Sequence, residues 1–156
     1  MKIIGHVKRF WKFHSLIIGA FGICALTLGC AIKEPAVYEG TWVVTDAYPQ
    51  GASSVSDSAD SVLGSSVTYS AKSARLDQAT CDVPVYKSER LNSDDFLFRY
   101  NVEQQQIGFT SDDVIEITLS CSSDTSDLGR TLLLQQDAYA VTPSKGMFFR
   151  LEKAKI

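Results

Sequence analysis

From residue 38 onward the chain keeps returning to a two-residue period, the signature of half-buried strands. In "YEGTWVVTDAY" the alternation places Tyr38, Gly40, Trp42 and Val44 on one face. "SSVTYS" and "ARLDQ" read as the next two strands, and "CDVPVYKSERL" as a further one, with Pro84 restricting it to a sheet edge or a strand start. "DDVIEITLSC" carries the clearest pattern: Ile115, Ile117, Leu119 and Cys121 point one way, Val114, Glu116, Thr118 and Ser120 the other. "TLLLQQ", "AYAVT" and "GMFFRLEK" close the chain as strands, with "PSKG" turning between the last two and "SSDTSDLGR" a polar turn before them.

Helical signals are short. In "QGASSVSDSADSVLG" the second half fits one or two helical turns, with Asp57 as cap, Val62 and Leu63 facing the core and Gly64 as the stop. In "NSDDFLFRY" Ser93 can cap a helix that carries Phe96, Leu97 and Tyr100. Many short strands without a long amphipathic helix predict an all-β domain with one or two short helices, either a small antiparallel β-barrel or a β-sandwich.

The N-terminus breaks this pattern. "MKIIGHVKRFWKFHS" carries Lys2, Lys8, Arg9 and Lys12 and no acidic residue, and thirteen uncharged residues, "LIIGAFGICALTL", follow. This is the layout of a secretory signal, and the apolar run falls short of the ~20 residues a spanning helix needs. Its end, Leu26-Thr27-Leu28-Gly29-Cys30, resembles the lipobox of bacterial lipoproteins, with Thr27 where that family most often has Leu. The resemblance implies cleavage after Gly29 and lipidation of Cys30, hence a signal peptide over 1–29, a lipidated cysteine and tether over 30–37, and one domain over 38–156. Several acyl chains hold a protein stably at a membrane where one does not. Ala31, read by likeness to Gram-negative lipoproteins, points to the outer membrane, with the domain facing the periplasm. The tether spans at most about 25 Å, which keeps the domain near the membrane surface.

Removing the signal changes the chemistry on offer. Residues 30–156 hold 11 basic and 18 acidic side chains, a formal charge of −7. Such a chain does not bind nucleic acid by electrostatics and suits a basic protein partner. Both histidines, His6 and His14, lie in the signal. Ser-His-Asp, Cys-His and imidazole–metal arrangements are therefore excluded from the mature chain, leaving carboxylate or lysine chemistry. With Cys30 lipidated, Cys81 and Cys121 form an even pair in an oxidising compartment, which predicts a structural disulfide closing a loop of about 40 residues.

No catalytic or metal constellation emerges. Glu39, Glu89, Glu103 and Glu116 could supply a glycosidase pair, but nothing selects two of them. Asp94/Asp95, Asp112/Asp113 and the Asp124/Asp127 segment lack calcium-loop spacing and read as turn or cap residues. Ser144 beside Lys145 sits in a turn that displays the two separately. Tyr48, Tyr86, Tyr100 and Tyr139 either line a pocket mouth or stabilise cross-strand pairs. No enzyme activity, metal or cofactor is expected.

Gly40-x-Trp42 on the first strand and Arg150 on the last resemble the calycins, the lipocalin-like barrels. In that group the tryptophan plugs one barrel end and a late-strand arginine lies across its ring. The resemblance implies a structural plug of Gly40, Trp42 and Arg150, and a barrel that takes a small apolar ligand. A looser likeness joins Gly40/Trp42, Cys81/Pro84/Tyr86 and Phe148/Phe149/Leu151 to uncharacterised bacterial envelope proteins, and brings no activity. Small lipoproteins that inhibit lysozyme are barrels of this general kind. That class analogy supports the alternative of a protein–protein module, such as an inhibitor of a basic hydrolase, or an accessory of an envelope complex.

Overall fold

The computed structural model describes residues 34–50, 57–122, 126–135 and 139–155; the signal over 1–29, Cys30, Ala31 and Asp124 lie outside them. Nine strands form a single sheet: β1 (Gly40–Pro49), β2 (Ser66–Tyr69), β3 (Ser73–Leu76), β4 (Ala79–Asp82), β5 (Val85–Leu91), β6 (Val114–Ser120), β7 (Thr131–Gln135), β8 (Tyr139–Ser144) and β9 (Met147–Lys153). Two α-helices, α1 (Asp57–Asp60) and α2 (Ser93–Tyr100), and a 3-10 turn at Gln104–Ile107 complete the described domain. The sheet is curled into a half-barrel. The choice between barrel and sandwich therefore falls to the barrel.

The strand order is β4-β3-β2-β1-β9-β8-β7-β6-β5, a meander in which first and last strands pair. Every pairing is antiparallel. Following the alternation from β1 in both directions makes β4 and β5 run the same way. They are two halves of one broken strand: Ala79–Asp82 pairs with β3, and Val85–Leu91 pairs with β6. Val83 and Pro84 make the break. Val83 stands at φ 53, an uncommon conformation for a β-branched residue, and Pro84 has no N–H to offer a ladder. Pro84 thus precedes a strand start, as its chemistry predicts. The Sγ atoms of Cys81 on β4 and Cys121 just past β6 lie at disulfide distance, with Cα atoms 5.5 Å apart. The bridge closes the seam that the broken strand opens.

The alternation along the strands sorts side chains into two cores. Trp42, Val67, Leu76, Leu132, Phe149 and Leu151 belong to the inner one. Strands distant in sheet order meet there: the Tyr69 hydroxyl on β2 donates to the Gly129 carbonyl ahead of β7 at 2.7 Å. Gly129 has φ +83, and a Cβ on it would stand 2.7 Å from Val67 Cγ1, so only glycine permits this approach. The outer core places Leu133, Val141 and Phe148 beneath Phe96 of α2 and Ile107 of the 3-10 turn. Continuous apolar runs such as Leu132-Leu133-Leu134 and Phe148-Phe149 follow, because this part of the sheet is covered on both faces.

Candidate functional site

The most concentrated polar chemistry lies on the outer face, where α2 crosses β5 and β6. The helix starts at Asn92, whose Oδ1 accepts the Asp95 N–H at 2.9 Å; Ser93, the expected cap, is its first residue instead. Asp94 and Asp95 occupy the first turn, where carboxylates complement the helix dipole. Asn101 ends the helix in the left-handed region at φ 51, its N–H bonding Leu97 O. Phe96 anchors the helix, fully buried with its ring edge-on to Phe109 at 6.1 Å. Leu97 does not join it in the core; it is 45% exposed. In a 3.6-residue helix the residue after the anchor already points about 100° away.

Arg99 and Tyr100 turn from α2 toward the strands. Glu89 and Glu116 are direct cross-strand partners, and like charges in that position repel. The Arg99 guanidinium bridges them, 2.7 Å from Glu116 Oε1 and 3.1 Å from Glu89 Oε1. The Tyr100 hydroxyl donates to Glu116 Oε2. Hydrogen bonding to Arg99 and its charge hold the Glu89 carboxyl below its usual range. Burial, and then the bond to Glu116, push the Tyr100 hydroxyl well above its usual range. A glycosidase pair needs one carboxylic acid kept protonated. The Arg99 bridge favours ionised Glu89 and fastens the helix to both strands.

The four tyrosines considered as a pocket mouth divide among separate places. Tyr86 packs on Tyr38 at 4.5 Å between centroids and donates to Ser70 O at 2.9 Å. Burial and the neighbouring Tyr38 push its hydroxyl up to about 12. Tyr48 and Tyr139 meet hydroxyl to hydroxyl at 3.5 Å, and Tyr139 also donates to Ile107 O at 2.6 Å. Tyr100 belongs to the carboxylate cluster. All four tie elements together.

Around Trp42 one expected residue is replaced. Trp42 is fully buried and its Nε1–H donates to Tyr38 O at 2.9 Å. The cation over its ring is Lys153, with Nζ 5.4 Å from the centroid, and not Arg150. Arg150 stacks on Tyr139 at 5.0 Å and pairs with Glu152 at 3.0 Å. Register explains the correction: Lys153 is the β9 partner of Trp42, whereas Arg150 lies opposite Asp46 beyond a bulge. Gly40, at φ +127, leaves room for the Lys153 side chain, whose Cε would stand 2.9 Å from a Cβ there.

The remaining candidates are dispersed. Asp113 pairs with Arg90 at 3.0 Å, and Asp112 uses its carbonyl to accept from Gln104. Ser144 ends β8, and Lys145 follows it in the turn with φ 50. Among the described residues no group of three or more His, Cys, Asp and Glu side chains is placed to hold a metal.

The sequence reading missed Arg99, Lys153 and Phe98. Phe98 is 93% exposed although it stands two residues from the buried Phe96. The helical period carried that signal, since two residues turn the chain by about 200°. No protein-family model, no curated protein and no solved structure matches the chain.

Proposed function

We infer that the chain is a lipid-anchored, periplasm-facing lipoprotein whose β domain binds a protein partner and performs no chemistry. The observation that carries this reading is the occupation of the half-barrel interior by its own side chains. Trp42, Val67, Leu76, Leu132 and Leu151 are each at most 1% exposed. A small apolar ligand would have to displace this packing, whereas a partner on the outside would not. The formal charge of −7 beyond residue 29 and the histidine-free composition agree with a binding role toward a basic surface.

Two experiments test the reading. Metabolic labelling with palmitate should mark the wild-type chain and not Cys30→Ser; equal labelling, or an uncleaved leader in the mass spectrum, removes the anchor. Photocrosslinkers scanned over exposed positions in intact cells should trap protein adducts. A scan that yields none, together with retention of a defined lipid through purification, would return the assignment to small-ligand binding.

A further inference from the structure

We propose that the solvent face of α2 is the docking surface, and that its partner presents a basic, apolar segment. This rests on the protein-binding reading above and specifies where and what the domain binds. Three observations meet on this helix. Its outer side carries Phe98, 93% exposed, and Leu97, 45% exposed, two adjacent apolar side chains open to solvent. A rigidly held, exposed aromatic is the kind of anchor that binding hot spots favour. The helix is firmly held from beneath, by Phe96 in the outer core and by Arg99 and Tyr100 on the two carboxylates, so Phe98 stands on a rigid support.

The second observation is charge. Asp94 precedes Leu97 by three residues and Phe98 by four, and Asp95 precedes Phe98 by three, the spacings that put side chains on a common helix surface. Both are exposed, and among the described residues neither has an ion-pair partner. The one basic residue of the helix, Arg99, is engaged by Glu89 and Glu116. What solvent sees is therefore an apolar tip beside two carboxylates. A partner with lysines or arginines around an apolar residue complements it, while a second copy of this acidic chain brings like charge.

The third is position. Tyr38, two residues ahead of β1, packs on Tyr86 near the start of β5. The helix follows Leu91 at the other end of that strand, about 20 Å away at 3.3 Å per residue. The α2 face thus lies at the far end of β5 from the Tyr38–Tyr86 contact.

The test uses the full-length protein held in phosphatidylcholine nanodiscs and three probes: a labelled amphipathic peptide of leucine and lysine, its glutamate-for-lysine counterpart, and phosphatidylglycerol vesicles. The basic peptide should bind and the acidic one should not. Phe98→Ser, at a position that contributes nothing to the core, should weaken binding at least about tenfold. Asp94→Asn with Asp95→Asn should weaken it several-fold at low salt and flatten its salt dependence. Val85→Ser, at another exposed hydrophobic position, should leave it unchanged. Equal binding by Phe98→Ser and wild type overturns the proposal, as does preference for the acidic peptide. Vesicle binding or self-association abolished by Phe98→Ser also overturns it, assigning the face to lipid or to a second copy. In intact cells, crosslinks at other positions but none at 98 would refute this surface and leave the protein-binding reading standing; no crosslinks anywhere would remove both.

Discussion

Glu89 on β5 and Glu116 on β6 stand directly opposite one another, and Arg99 from α2 holds both. Glu116 is buried, so removal of its cation leaves a carboxylate without compensation beside a second one. Because the Arg99 side chain is 38% exposed, the penalty falls below that of a fully buried pair. Arg99→Met should lower unfolding stability by about 2–3 kcal/mol. Adding Glu116→Gln should recover part of the loss. Urea titrations of the single and double variants measure both, and additive losses would refute the bridge.

Stability should also respond to pH in two windows. Tyr69, Tyr86, Tyr100 and Tyr139 all have their hydroxyls raised above 10, chiefly by burial. Below pH ~10 both folded and unfolded chains keep these groups protonated; above it the unfolded chain loses protons that the folded chain retains, so stability falls as pH rises. Absorbance at 295 nm should show Tyr69 and Tyr100 ionising together with unfolding. Glu89 acts at the other end: its depressed value contributes stability above the ordinary carboxylate range, which is lost as pH falls through its folded value.

The Cys81–Cys121 bridge spans 40 residues of chain and closes the seam beside the broken strand. On the loop-entropy account its removal by Cys81→Ser with Cys121→Ser should cost about 4 kcal/mol. Emission from Trp42, the sole tryptophan after residue 29, reports the transition. A midpoint unchanged by reduction would refute the pairing.

Val83 is 80% exposed and sits at φ 53, so its side chain contributes little packing while its backbone is strained. Val83→Asn should stabilise the protein by about 0.5–1 kcal/mol, since asparagine tolerates this conformation. A loss of stability in the urea midpoint would show that the valine side chain serves another purpose there.

The strands were largely legible because their alternation is local. β6 carries Ile115, Ile117 and Leu119 inward as its spelling suggests, and Gly40-x-Trp42 opens β1 with a buried tryptophan. Less legible was anything that depends on which strand lies beside which. Lys153 instead of Arg150 reaches Trp42 because of a register shift between Val44 and Asp46, and no local spacing announces a bulge. Arg99 reads as an ordinary surface arginine until β5 and β6 pair and set Glu89 against Glu116. Val114 reads as a solvent-side residue of β6, and the outer core under α2 buries it completely.

By itself the chain's spelling determined the strand-rich class, the short helices and the poverty of histidine beyond residue 14, because period, turn chemistry and composition are properties of neighbours along a chain. Only the tertiary structure decided the half-barrel, the splitting of one strand into β4 and β5, the helix clamp and the outward stance of Phe98. Each of those depends on burial and charge shared between residues distant in sequence, and such energies exist only once the sheet has brought them together.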